Sequence, residues 1–138
     1  HYGAKSFDKE LIKPISNFML SKPLGGLWTS PIDSKWGWKD WNKTEDHVQC
    51  LESNSFIIEL KDDVKIFTVN CVSDLRKIPY IHLSKGKLRR FNFRKLATKY
   101  DAIHLTVKGQ IATRFSSPLN LYGWDCESVL IMNKNCIK

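Results

Sequence analysis

Two acids one residue apart, Asp125 and Glu127, stand directly before the apolar run Ser128–Met132. In an extended chain, residues i and i+2 point to the same side. Both carboxylates are therefore expected on one face, at the mouth of a buried strand. Two negative charges there are costly unless something uses them. Two solvated turn acids are the plain alternative, and this stretch alone does not choose. The residues just before, Leu121-Tyr122-Gly123-Trp124, read as a turn hinged at Gly123.

The chain that must position these acids has 138 residues, enough for one domain, 1–138, with a real core. No apolar run approaches the roughly 20 residues of a membrane span. No secretory leader is read at the start of the sequence. A cytoplasmic, monomeric protein with no membrane partner is the expectation. The net charge of +8 has two readings: a solvated basic surface, or an anionic partner such as nucleic acid or a phosphorylated small molecule. Apart from a cluster at Lys85–Arg94, the cations are dispersed, which weakens the second reading. The cysteines Cys50, Cys71, Cys126 and Cys136 form no C-x-x-C pair, so no zinc site is expected. Free thiols in a reducing compartment are the simplest reading; two disulfides would instead point to export.

In chain order, Pro14 and Pro23 discourage a long helix near the start. Leu27-Trp28-Thr29 reads as a short strand ending at Ser30-Pro31. The spacing predicts a helix from Ser34 to about Ser53, with Trp38, Trp41, Val48 and Leu51 as its apolar stripe. Four of the five tryptophans, Trp28, Trp36, Trp38 and Trp41, lie in this region, either as core or as walls of a pocket for a flat ring. Ser55–Leu60 and Val64–Val69 are predicted strands. Ser73 caps a short predicted helix through Lys77. Pro79–Lys87 reads as irregular, Phe91–Tyr100 as a helix, and Asp101–Val107 as a strand. Lys108–Asn120 reads as a turn-rich loop, and Cys136-Ile137 as a last short strand. Many short strands with two or three helices give an α+β class.

Three pieces stand in a telling order: His1-Tyr2-Gly3, then Gly26-Leu27-Trp28-Thr29-Ser30, then Asp125-Cys126-Glu127-Ser128-Val129-Leu130-Ile131-Met132-Asn133. This order resembles the ADP-ribosyltransferase fold, especially its small bacterial and phage members with a His–aromatic–Glu pattern. Tyr100-Asp101-Ala102-Ile103 looks like that family's "GYDGI" strand. Asp125-Cys126-Glu127 takes the place of its E-x-E. The resemblance implies a split β-sheet or sandwich core, NAD as a substrate, and a toxin, phage or housekeeping role. The departures are a His at residue 1 with no strand before it, Trp-Thr-Ser in the second motif, and Asp as the first acid.

Cleaving the bond between nicotinamide and ribose passes through an electron-poor, oxocarbenium-like sugar, which a nearby carboxylate stabilises. By resemblance, Glu127 is that carboxylate and Asp125 orients or deprotonates the nucleophile. His1 would bond the adenosine-side ribose, within the cofactor-binding segment His1, Tyr2 and Gly3. Trp28 or Tyr2 would stack on nicotinamide. Ser30, beside Thr29, would bond the carboxylate or the ribose. Lys5 or Lys22 would reach the pyrophosphate. The acceptor would be protein, nucleic acid or water. His104, flanked by Ile103 and Leu105, is a weaker candidate to face the cleft. Two alternatives remain: a degenerate nucleotide- or partner-binding module of the same fold, or a secreted copper protein chelating through the amine and ring of His1.

Overall fold

The computed structural model describes residues 1–83 and 88–138. Its elements run β1 (Ser16–Asn17), β2 (Pro23–Leu24), β3 (Leu27–Thr29), α1 (Trp38–Thr44), β4 (Ile66–Val69), α2 (Val72–Leu75), β5 (Tyr80–Leu83), β6 (Leu88–Phe91), α3 (Phe93–Leu96), β7 (Ala102–Leu105), α4 (Val107–Thr113) and β8 (Ser128–Ile131). The class is α+β. Four strands form a mixed sheet in the order β3-β8-β7-β4. β8 is antiparallel to both its neighbours, and β7 is parallel to β4. β1–β2 and β5–β6 are separate two-stranded ribbons.

The register sorts the side chains of the sheet. Leu27 pairs with Ile131, Thr29 with Val129, and His104 with Val129. These residues share one face. Trp28, Leu130, Ile103, Leu105, Phe67 and Val69 alternate onto the other face, which packs into the main core with Leu75, Phe91, Phe93, Leu96 and Trp124. The first face is partly covered by Phe7, Ile58, Leu60 and Val64. Asp101 ties the sheet ends together. Its carboxylate accepts from the Lys65 amide at 2.9 Å and from Asn133 Nδ2 at 2.7 Å, which holds its carboxyl below the usual carboxylate range.

Several expectations need correction. The long helix from Ser34 is only α1, because Asp46 takes a left-handed φ of 55° and two 3-10 turns follow, Val48–Cys50 and Glu52–Asn54. Val48 and Leu51 are exposed, so the predicted stripe holds only for its tryptophans. Ser55–Leu60 makes isolated bridges rather than a strand: Tyr2 to Ser55, and Leu60 to Ile137. The expected last strand is a 3-10 turn, Lys134–Cys136. Phe91 ends β6, and Asn92 caps the shorter α3, its Oδ1 accepting from the Lys95 amide at 3.1 Å. Within the expected irregular stretch, Tyr80–Leu83 is β5, while Ser84–Lys87 lies outside the described residues.

The loop expected at Lys108–Asn120 begins instead as α4, a fourth helix. Thr106 caps it, its Oγ1 accepting from the Gly109 amide at 3.0 Å. Gly109 lowers helix propensity, which hid the helix, but it lets the backbone approach β4. A Cβ there would lie 2.0 Å from the Val69 carbonyl oxygen. A Gly→Ala change inside a helix ordinarily stabilises by up to about 1 kcal/mol. At Gly109 the sign is expected to reverse, with a loss of about 1–3 kcal/mol from overpacking, measured by denaturant unfolding.

Candidate functional site

Glu127 precedes β8 and follows its alternation, on the face that carries Val129, Ile131 and His104. Its backbone amide donates to the Trp36 carbonyl at 2.9 Å. Trp36 Nε1 donates in turn to the Asp125 carbonyl at 3.2 Å. The loop before α1 therefore clamps both ends of Asp125-Cys126-Glu127. Glu127 is only 9% exposed. A carboxylate there needs partners, since an unsatisfied charged group costs more than the roughly 1–3 kcal/mol of a neutral one. It has two. Ser34 Oγ donates to Oε2, and His104 Nε2 lies 2.8 Å from Oε1. An ionised carboxylate only accepts, so this contact puts the ring proton of a neutral His104 on Nε2 and leaves Nδ1 as an acceptor. Among the described residues, Nδ1 of His104 has no hydrogen-bond partner.

The acid is the middle member of this trio. Ser34 directs its hydroxyl proton to the Glu127 carboxylate and, among the described residues, has no imidazole partner, so it is placed to hold the acid. The arrangement can hold a carboxylate at a fixed point and hold a histidine ring, about a quarter exposed, with one nitrogen open.

Ser34 also lines a groove of about 600 Å³, within the usual size range of ligand sites. His1, Tyr2, Thr29 and Ser30 share that lining. His1 Nδ1 is 2.7 Å from the Trp28 carbonyl, and its backbone nitrogen is 3.0 Å from the Phe56 carbonyl. The two nitrogens that a copper chelate would use are thus turned to backbone oxygens. Among the described residues, no group of three or more His, Cys, Asp and Glu side chains is placed to hold a metal ion.

The other expected site residues lie elsewhere. Trp28 faces the core, edge-on to Trp124 with ring centroids 4.6 Å apart. The Asp125 carboxylate does not share partners with that of Glu127; its Oδ1 lies 3.3 Å from Arg114 Nη2. Gly3 anchors the N-terminal segment by donating to the Asn54 carbonyl at 2.8 Å, away from the groove lining. Ser30 accepts from the Trp38 amide at 3.1 Å and so caps the approach to α1, while Ser34 takes the contact expected of it. Lys22 sits 4.9 Å over the Trp28 ring in a second hollow, and Lys39 is the lysine of the groove. Lys39 pairs with Glu52 at 3.0 Å, a surface contact of little strength that an anion would displace. The sequence marked Ser34 only as a helix start and Trp36 only as core or pocket wall, because their hydrogen bonds to residues 125–127 span about 90 positions. His104 did carry a signal: a polar residue at an alternating position in an apolar strand.

All four cysteines are free. Cys126, next to Glu127, is fully buried, and burial pushes its thiol up to about 12. It is thereby ruled out as a nucleophile. No helix among the described residues is long and apolar enough to cross a membrane. No family model matches the chain, and comparison with curated proteins and with solved structures returns no match.

At pH 8, iodoacetamide is expected to alkylate the half-buried Cys50 and Cys71 while sparing Cys126 in the folded protein, as read by peptide mass mapping. Cys126 labelling as fast as Cys71 would contradict this burial.

Proposed function

We propose that this chain is an NAD-consuming enzyme of the ADP-ribosyltransferase type, acting as a transferase or as an NAD glycohydrolase. One observation carries the reading: the buried Glu127 carboxylate is held by His104 and by Ser34, and Ser34 also lines a ligand-sized groove whose lining does not include Glu127 or His104. The resemblance in His1-Tyr2-Gly3, Trp28-Thr29-Ser30 and Asp125-Cys126-Glu127 supplies the reaction class. The split-sheet core of that family belongs to the same proposal.

The proposed chemistry is a displacement at the anomeric carbon. The C1′–N1 bond of the nicotinamide riboside breaks, and its electron pair stays on nicotinamide, which leaves neutral. Glu127 bonds the ribose 2′-hydroxyl and offsets the positive charge that builds on the ring. A water or acceptor hydroxyl bonds to C1′ and loses its proton. The geometry favours His104 Nδ1 over Asp125 as the group that takes this proton, because Asp125 is turned to Arg114. Thr29, Ser30 and His1 offer polar contacts to the two riboses, Tyr2 a flat surface, and Lys39 a cation for the pyrophosphate. Ser34 acts through Glu127 by holding its second oxygen.

A second reading has one specific observation behind it. Trp28 packs against the core, half-buried, and is absent from the groove lining, so it gives no stacking platform there, as a degenerate nucleotide-binding module would allow.

The test is nicotinamide release from NAD by the purified chain, followed by chromatography. Wild-type protein is expected to release it, and Glu127→Gln to lower the rate by about 10²-fold or more, with its unfolding temperature checked separately. NAD binding seen by calorimetry without any release, in water or with protein and nucleic-acid acceptors, would sink the enzyme reading and leave the binding module.

A further inference from the structure

The charge of this chain is segregated. Residues 76–99 hold nine of the 22 Lys and Arg residues and none of the 14 Asp and Glu residues. The rest of the chain therefore carries a net charge of −1 against +8 overall. The whole basic excess falls within residues 76–99, which contain β5 and β6; two of its cations, Lys85 and Lys87, lie outside the described residues. Among the described residues of this segment, Lys77 is the one cation in an ion pair, with Asp74 at 2.8 Å. Arg76, Arg89, Arg94, Lys95 and Lys99 are exposed.

The ribbon also presents rings. Tyr80 pairs with Phe91, and His82 with Arg89, so Tyr80, His82 and Arg89 lie on one face. Tyr80 is 40% exposed. The ring centroids of Tyr80 and His82 are 5.3 Å apart, and the Arg89 guanidinium sits 4.9 Å from the Tyr80 ring centroid. A charge run alone is usually a solvated face. An exposed aromatic and a histidine inside that run, with a guanidinium stacked on the aromatic, fit a polyanion that itself carries flat rings. Unstacked bases lie on aromatic side chains and on guanidinium planes, while Lys and Arg neutralise phosphates and release counterions. An anionic bilayer offers the charge without the rings. A duplex keeps its bases stacked, out of reach of Tyr80.

We propose that the β5–β6 ribbon is a docking surface for single-stranded nucleic acid. The ribbon is a separate sheet from the one that carries Glu127. The proposal goes beyond the NAD chemistry and stands without it.

The experiment is fluorescence anisotropy with a labelled RNA or DNA single strand of roughly 20 nucleotides, the matching duplex, and vesicles of mixed anionic and zwitterionic phospholipid. The single strand is expected to bind, with log K falling linearly against log salt at a slope of about −3, equivalent to roughly four phosphates. Tyr80→Ala is expected to weaken binding about ten-fold, and Tyr80→Phe to restore it. Replacing Arg89 and Arg94 together by Ala should flatten the salt slope by about 1 or more. Glu127→Gln should bind like wild type, which separates this result from failure of the NAD reaction. Thermal unfolding of each variant guards against misfolding. The proposal is overturned by no saturable binding at about 50 mM salt, by binding that the Tyr80 and Arg variants leave unchanged, or by a preference for the duplex or the vesicles.

Discussion

Strand β8 is paired on both edges, with β3 on one side and β7 on the other. That double pairing is the constraint on which the rest depends. A one-residue slip would send every side chain of β8 to the opposite face. Leu130 would leave the core, and the residues that now line the groove would enter it. The same alternation, carried back beyond the strand end, sets the side on which Glu127 emerges. The acid is thus placed by the apolar pattern of the strand that follows it.

Holding a carboxylate at that point needs more than a register. The loop before α1 contributes Ser34 to the carboxylate, and Trp36 to the backbone on either side of Cys126. β7 contributes His104 from the neighbouring strand. Loop and sheet thus meet through one polar cluster rather than through apolar packing. A half-satisfied cluster of this kind costs more than an apolar contact would. On the far face, Trp28, Trp124 and Phe93 pack ring against ring and stiffen the sheet behind the groove. The tryptophans divide accordingly: Trp28 supports from the core, while Trp36 holds the acid in place.

The molecule keeps two kinds of surface apart. The groove beside Glu127 has mixed polarity, with Lys39, Asp40 and Glu52 along its wall. The segment 76–99 is strongly basic, and the β5–β6 ribbon within it is its own pair of strands.

Local pattern was enough for the four strands of the mixed sheet, though not for the two-stranded ribbons or for Ser55–Leu60. Leu27–Thr29, Ile66–Val69, Ala102–Leu105 and Ser128–Ile131 all lie within predicted strands, because apolar alternation and flanking turns are properties of neighbouring residues. It was not enough for helix ends or for α4, where Asp46 and Gly109 act through a backbone angle and a close approach to Val69 that propensity does not encode. The sequence by itself determined the α+β class, the strand before which Glu127 sits, and the chemical type of that group. Only the tertiary structure decided that Ser34 and His104 are its partners, that Asp125 answers to Arg114, and that Trp28 turns inward. The physical reason is that a hydrogen bond or a buried face joins residues tens of positions apart, and their meeting is set by strand pairing rather than by any spacing along the chain.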